Sequence, residues 1–224
     1  MTTIAVMQPY FMPYAGYFRL FHVADVFVLF DCVQFPRRGW VHRNRFALSD
    51  GSLDWLTLAV TKCPRETRIA DLAFAPDAAD RLSADIQRFP DLREARTRRS
   101  TLLELVTDIG TGSISDYLGG QLARISAMLG LSRTIVRSSE LSIDPDARGQ
   151  ARVIEIAKTL GATRYVNSPG GREIYDAASF AAHGIELKFL TPFTPSTHSI
   201  LTFLLKEPAT TVASMIQNES TLSS

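Results

Sequence analysis

The sequence predicts an α/β fold with a parallel-strand core, a β-hairpin and a helical insertion. Short apolar runs at residues 4–7 and 26–30 are typical of buried strands, and helical periodicity lies between them. A strand, a helix and a second strand in this order form a βαβ unit, which implies parallel strands and a right-handed crossover. An Asp-Gly turn at residues 50–51, with a strand-like run on either side, is typical of a hairpin.

The N-terminal βαβ unit has a proline-rich loop after its first strand. The apolar run at 4–7 stops at Gln8, and Pro9 and Pro13 bias the following loop away from helix, because the residue before a proline prefers extended geometry. Aromatic residues then recur at helical spacing and predict a helix over 14–23. The run at 26–30 combines β-branched and aromatic residues, which favours a strand.

The middle of the chain is predicted to be a hairpin followed by helices. Residues 43–48 and 53–60 form the hairpin strands, and helical periodicity predicts helices over 77–97 and 114–129. The last third returns to an alternation of strands and helices. We expect strands at 134–136, 164–166 and 184–190, and helices at 150–160, 198–205 and 210–216.

This pattern predicts one α/β domain over residues 1–217, because strands occur at both ends of the chain and helices lie between them. Residues 61–133 are expected to form a largely helical insertion or subdomain within it. The polar residues 218–224 are expected to form a flexible tail.

Composition excludes some classes of function. The chain has 224 residues and 24 basic against 23 acidic side chains, so its net charge of +1 provides no general field for duplex nucleic acid. It contains two cysteines without a CxxC motif or a zinc-type spacing, so no metal site is indicated. We found neither a signal peptide nor a long apolar segment, and we therefore expect a cytoplasmic protein without a membrane span.

Three polar or glycine-rich loops follow predicted parallel strands. They comprise residues 8–16, 31–34 and 167–171. Ligands of open α/β sheets bind beyond the carboxyl ends of the strands, so these loops are the predicted walls of a site. In the third loop, backbone N–H groups of Asn167, Ser168, Gly170 and Gly171 are candidates to bind a phosphate or carboxylate.

The first two loops carry candidates for orientation and acid–base chemistry. The amide of Gln8 suits either a ligand or a bracing role in its own loop. Asp31 is a candidate general base, with a metal ligand or a partner of an arginine as the alternatives. His42 is a candidate proton donor. Tyr10 and Tyr14 provide flat apolar faces with polar tips for a sugar or base ring, and Gln34 is a further binding candidate.

Cationic side chains are concentrated between residues 37 and 45. Arg37, Arg38, Arg43 and Arg45 lie here with Trp40 and Asn44. Guanidinium groups bind phosphate and carboxylate as a planar fork, so the cluster predicts a pocket for an anionic substrate, with a solvated surface patch as the alternative. Cys32 is a nucleophile candidate, although no histidine spacing supports it and an inert thiol is the alternative.

The same residues resemble the WbqC-like protein family. The segments 8–18, 24–28, 31–35 and 40–45 carry the resemblance most specifically. Further matching segments are 55–57, 165–171, 175–176 and 199–201. The resemblance implies a biosynthetic enzyme of the kind associated with bacterial surface polysaccharide (O-antigen) and specialised-metabolite gene clusters, acting on an amino sugar or a related amine.

Three hypotheses follow for function. The first is a transferase that moves an activated acyl, aminoacyl or nucleotide-linked group onto an amine or amino-sugar acceptor. Its co-substrate would be a nucleotide, coenzyme A or a donor linked to a carrier protein or tRNA, and no resident cofactor is evident. The second is a non-catalytic binding protein for an anionic metabolite or carrier arm. The third is a transferase that depends on Cys32. A homodimer remains an open alternative to a monomer.

Overall fold

The computed structural model describes residues 1–110 and 112–223, with a six-stranded sheet at the centre. The strands are β1 (Thr3–Met7), β2 (Val26–Leu29), β3 (Arg43–Ala47), β4 (Leu53–Thr57), β5 (Thr134–Arg137), β6 (Arg164–Asn167), β7 (Glu186–Leu190) and β8 (Leu222–Ser223). The α-helices are α1 (Arg19–Val23), α2 (Ala78–Ile86), α3 (Pro90–Thr97), α4 (Thr101–Thr107), α5 (Ile114–Met128), α6 (Gly149–Thr159), α7 (Ala177–Ala181), α8 (Ile200–Leu204) and α9 (Ala209–Asn218).

The strand order of the large sheet is β5-β2-β1-β6-β7-β8. All neighbours are parallel except β7 and β8. The strands β3 and β4 form a separate antiparallel hairpin, in which Arg45 lies opposite Trp55. The predicted α/β class, its parallel-strand core, the hairpin and the helical insertion between β4 and β5 are confirmed.

Side chains of the central strands alternate between two apolar layers. Ile4 of β1 and Val28 of β2 pack with residues of α6 and α7, whereas Ala5 and Phe27 pack on the opposite face with residues of α1, α5, α8 and α9. Successive residues of a strand point to opposite faces, so the unbroken apolar runs follow from a sheet covered on both sides.

The predicted helix over 77–97 is wrong in one respect, because it consists of α2 and α3 with a break before Pro90. Phe89 has extended backbone angles, as expected for the residue before a proline, and Pro90 then occupies the first turn of α3. The predicted helix over 14–23 begins as a 3-10 turn at Ala15–Phe18 and continues as α1.

The end of the chain differs from the free tail that its polar sequence suggests. Helix α9 extends to Asn218, and Leu222 and Ser223 then pair with β7 as the antiparallel edge strand β8. Two residues are too few for an alternating pattern, so the backbone pairing with Phe189 and Leu190 left no signal in the sequence. Within the described ranges, no helix is long and apolar enough to cross a membrane.

Candidate functional site

The carboxyl ends of β2, β1 and β6 lie side by side in the sheet. The three loops that the sequence singles out follow these strands, so they begin at one edge of the sheet. From β1 the chain continues to the neighbouring strand β2 on one side of the sheet, and from β6 it continues to β7 on the other side. The switch point of this doubly wound sheet therefore lies between β1 and β6, where open α/β folds bind ligands.

A cavity of about 300 Å³ lies between the loop after β1, the hairpin and the segment before α8. We call it the Trp40 pocket. It brings together the predicted binding residues Tyr10, Tyr14, Trp40, Asn44 and Arg45. The remaining lining residues are Pro13, Leu53, Thr197 and His198.

Asn44 holds the hairpin against the loop that forms the pocket wall. Its side-chain Nδ2 donates to the carbonyl oxygens of Phe11 (3.1 Å) and Met12, and its Oδ1 accepts from the backbone N–H of Arg45 at 2.7 Å. The buried Ser199 hydroxyl also donates to the Met12 carbonyl, at 2.7 Å. Met12 has a φ of +44°, a strained conformation for a residue with a side chain, and these hydrogen bonds fix it. Asn44 therefore positions the pocket in addition to lining it.

Two arginines of β3 stack on the tryptophans. The ring centroids of Trp40 and Trp55 are 5.2 Å apart. The Arg43 guanidinium lies 4.0 Å from the Trp55 ring, and Arg45 lies 5.6 Å from both rings. Arg43 also donates to the carbonyls of Gly39 (3.2 Å) and Arg38 (2.7 Å), so it braces the hairpin, while Arg45 is the exposed cation of the pocket.

The structure does not bring the four predicted arginines into one pocket. Arg37 and Arg38 line a separate cavity of about 430 Å³ together with Gln34. Arg37 donates to the Cys63 carbonyl at 2.6 Å, and the side-chain amide of Gln34 donates to the Arg65 carbonyl at 2.7 Å. Position in the chain explains the division, since Arg43 and Arg45 lie on β3 and the other two arginines precede the strand.

Asp31 is fully buried and anchors three elements. Its carboxylate accepts hydrogen bonds from the hydroxyls of Ser115 (2.8 Å), Ser138 (3.1 Å) and Ser139 (3.0 Å), the Ser139 N–H (2.9 Å) and Arg137 Nε (2.9 Å). Burial alone would raise the pKa of Asp31, but the hydrogen bonds from Ser115, Arg137 and Ser139 lower it. Asp31 lines neither the Trp40 pocket nor the cavity of about 540 Å³ at the start of α6, so this geometry favours the arginine-paired alternative over a general base.

His42 does not line the Trp40 pocket either. Its ring packs edge-on against Phe35, with the centroids 4.9 Å apart, and its Nδ1 is buried without a hydrogen-bond partner. Burial and the neighbouring Arg43 lower the pKa of His42 from 6.5 to about 4. The imidazole is therefore neutral at pH 7 and is poorly suited to donate a proton.

The stability of the protein is expected to fall as the pH drops from about 6.5 to 4. The unfolded chain takes up a proton on His42 within this window, whereas the folded protein resists it until pH about 4. Since the ring is partly exposed, we expect a loss on the order of 1–2 kcal/mol, below that of a fully buried group. Urea titrations at several pH values should show this component in the wild type and not in His42→Phe. An identical pH dependence in both proteins would contradict it.

The loop after β6 serves as a scaffold at the switch point. Asn167 is buried, and its Oδ1 accepts from the Ser168 N–H at 2.7 Å. A Cβ on Gly171 would lie 2.5 Å from Asn167 Nδ2, so only glycine permits this approach. These loop residues line neither the Trp40 pocket nor the cavity of about 540 Å³ at the start of α6, namely Asn167, Ser168, Gly170 and Gly171. The backbone carbonyl of Gln8 accepts from the Tyr17 hydroxyl at 2.8 Å, which ties the first loop to the 3-10 turn before α1.

A second and larger cavity, of about 540 Å³, lies beyond the ends of β2 and β5 at the start of α6. We call it the Arg152 pocket. Its lining includes Cys32 and Gln34 from the second loop, Ser138 and Ser139 after β5, and Tyr175 after β6. The Cys32 Sγ lies 3.7 Å from a guanidinium nitrogen of Arg152.

Sequence reasoning missed two side chains of these pockets. His198 was assigned to the start of a closing helix, but α8 begins at Ile200 and the exposed His198 lies on the pocket rim before it. Arg152 lies in the first turn of α6, where the sequence alone suggests a charged side chain on a solvent-exposed helix face. Neither residue has a local motif, since most of its neighbours in the pocket are distant in the sequence.

Comparisons with known proteins identify the family of the chain. A protein of Mycobacterium tuberculosis (strain ATCC 25618 / H37Rv), described as "Uncharacterized protein Rv1507c", is 26% identical over 186 residues, which cover 80% of this chain and 78% of the relative. No solved structure matches the chain. The model of the WbqC-like protein family matches residues 8–199, which span the loop after β1, the hairpin, both pockets and the segment before α8, and the chain therefore belongs to the WbqC-like protein family.

Proposed function

We propose that the protein is a biosynthetic transferase that moves an activated acyl, aminoacyl or nucleotide-linked group onto an amine or amino-sugar acceptor. Such a reaction would serve surface-polysaccharide or specialised-metabolite biosynthesis. The observation that carries the proposal is the composition of the Trp40 pocket, which combines aromatic faces, an exposed guanidinium and an imidazole in about 300 Å³.

The aromatic residues suit a ring-shaped substrate. Tyr10, Tyr14 and Trp40 provide apolar faces for stacking on a sugar or a base. Burial raises the pKa of Tyr10 and of Tyr14, so both hydroxyls stay protonated at neutral pH and can donate hydrogen bonds. This combination supports a polar ring such as an amino sugar.

Arg45 supplies the positive charge of the pocket. In the described ranges, it has no carboxylate partner, so its guanidinium is available to an anionic group of the donor. The stacking partners Trp40 and Trp55 limit its motion. A phosphate or carboxylate of the substrate would therefore be bound beside the aromatic faces.

His198 is the proposed proton acceptor. In group transfer to an amine, the nitrogen lone pair forms a bond to the activated carbon or phosphorus, and the leaving group departs with its electron pair. The proton released from the nitrogen would pass to the His198 imidazole. Holding both substrates in one pocket contributes to the rate by orientation as well.

The binding-protein alternative has an observation in its favour. Asp31 is buried in an ion pair with Arg137, and His42 is neutral and buried, so two of the three predicted catalytic side chains are engaged in the fold. A binding protein would bind a ligand in the Trp40 pocket without forming a product.

Substrate screening separates these functions. Purified protein would be incubated with acyl-coenzyme A, aminoacyl and nucleotide-sugar donors, each with amine and amino-sugar acceptors, and analysed by mass spectrometry for product. We expect a product from at least one pair. Ligands that raise the melting temperature while no pair reacts would support the binding protein instead.

Variants of the pocket then test its location. Calorimetry with the identified donor should show binding weakened about tenfold by Trp40→Leu and about 10- to 100-fold by Arg45→Met. Arg93→Met removes an exposed arginine of α3 and is the matched control, with affinity expected to remain that of the wild type. Unchanged affinity in both pocket variants would place the substrate elsewhere.

A further inference from the structure

We propose that the Arg152 pocket is a second ligand site, which binds the phosphate or diphosphate group of a small molecule. The cavity of about 540 Å³ lies at the carboxyl ends of β2 and β5 and at the N-terminus of α6. It shares no lining residue with the Trp40 pocket, so the two sites can be tested independently.

Arg152 is a buried cation without a counterion. Its side chain and backbone together are only 9% exposed. One guanidinium nitrogen donates to the Pro145 carbonyl at 3.1 Å, and the other lies 3.4 Å from the Cys32 carbonyl and 3.7 Å from Cys32 Sγ. Its Nε has no partner, and in the described part of the chain no carboxylate pairs with it. A buried charge is costly unless it is paired, so this arrangement favours an anion beside the guanidinium.

The N-terminus of α6 adds further donors at the same place. The helix has 11 residues, and no side chain caps its first turn. Its first N–H groups have no partner within the helix, and the helix dipole favours negative charge there. Gly149 begins the helix with a φ of +51°, and a Cβ at this position would contact nothing within 4 Å. A phosphate is a typical ligand of such free N–H groups at the start of a helix.

The other charged side chains of the pocket are of both signs. Arg148 is exposed and donates to the carbonyls of Pro145 and Ala147, which leaves its charge uncompensated. Arg68 is paired with Asp71 at 2.7 Å. Glu66 and Asp144 also line the cavity. The anion would therefore bind between Arg148, Arg152 and the helix N-terminus, and the remaining volume would hold the uncharged part of the ligand near Tyr175.

Calorimetry with inorganic pyrophosphate at low ionic strength tests this site. We expect the wild type to bind it, and Arg152→Met and Arg148→Met each to bind about 10- to 100-fold more weakly. Arg93→Met is the control for the loss of one positive charge and should bind as the wild type does. Since Arg148 is exposed, its variant remains informative if Arg152→Met does not fold.

Alkylation of Cys32 provides a second measurement. The protein has two cysteines, and in a Cys63→Ser background the reaction of Cys32 with iodoacetamide reports on this cavity alone. Pyrophosphate is expected to slow the reaction in this background and not after the further Arg148→Met substitution.

Two results would overturn the proposal, namely the absence of pyrophosphate binding, or equal affinity in both arginine variants and the wild type. Tight binding of malonate together with the first result would assign the site to carboxylates. The Trp40 pocket is tested separately by the Trp40→Leu and Arg45→Met variants.

Discussion

Asp31→Asn is expected to lower the free energy of unfolding by about 3–5 kcal/mol. The carboxylate is fully buried, and its ion pair with Arg137 and its hydrogen bonds to three serines connect β2, α5 and the segment after β5. An asparagine of the same shape removes the charge and directs an NH2 group toward donors. Arg137 then loses its buried partner, which is more costly than removing both members of a pair.

Urea denaturation of the two proteins at pH 7 measures this loss. Asp71→Asn is the matched control, since it breaks an exposed aspartate–arginine pair and should cost less than about 1 kcal/mol. The lowered pKa of Asp31 stabilises the folded protein above pH 3.8, and this contribution is lost as the pH falls through the folded-state pKa. Asp31→Asn should lack that acid-dependent component. Equal losses in the two variants would contradict the anchoring role.

His198→Gln is expected to lower turnover by about 100- to 10,000-fold in the transferase reaction. Glutamine retains a polar side chain of similar reach but cannot accept a proton at neutral pH. Because His198 is exposed on the rim of the Trp40 pocket, its replacement leaves the core and the aromatic walls intact. The affinity for the donor should therefore remain close to that of the wild type.

His183→Gln is the matched control for this variant. His183 is also exposed, and it lies after α7, where its Nδ1 is 2.9 Å from the Ser179 carbonyl oxygen. Its replacement should leave turnover unchanged. Full activity of His198→Gln would exclude this imidazole as the proton acceptor, while the binding tests of Trp40 and Arg45 would still stand.

Much of the fold could be predicted because its signals are local. The apolar runs of β1 and β2 and the Asp-Gly turn of the hairpin each lie within one element, and the βαβ unit implies their parallel pairing. The prediction of one helix over 77–97 did not take into account that Pro90 favours a break between two helices. Strand β8 has two residues, and its formation depends on the unpaired edge of β7, which the sequence of the strand does not reveal.

The candidate site was predictable to a smaller extent. Tyr10, Tyr14, Trp40 and Arg45 could be identified because they lie in one stretch of the chain. Arg37 is separated from Arg45 because it precedes the hairpin, whereas Arg45 lies on the hairpin strand β3. Arg152 lies in its pocket because the chain crosses over to α6, and His198 lies in its pocket because the chain returns before α8. Such long-range approaches leave no local pattern in the sequence.

The paired indoles of the hairpin give the protein an intrinsic optical probe. Trp40 and Trp55 are its only tryptophans, and their ring centroids are 5.2 Å apart beside the Trp40 pocket. Native tryptophan emission, excited at the red edge where tyrosine does not absorb, therefore originates from one place in the molecule. A ligand that stacks on Trp40 or displaces Arg45 will alter that emission, so donor and acceptor libraries can be screened on unlabelled protein by fluorescence.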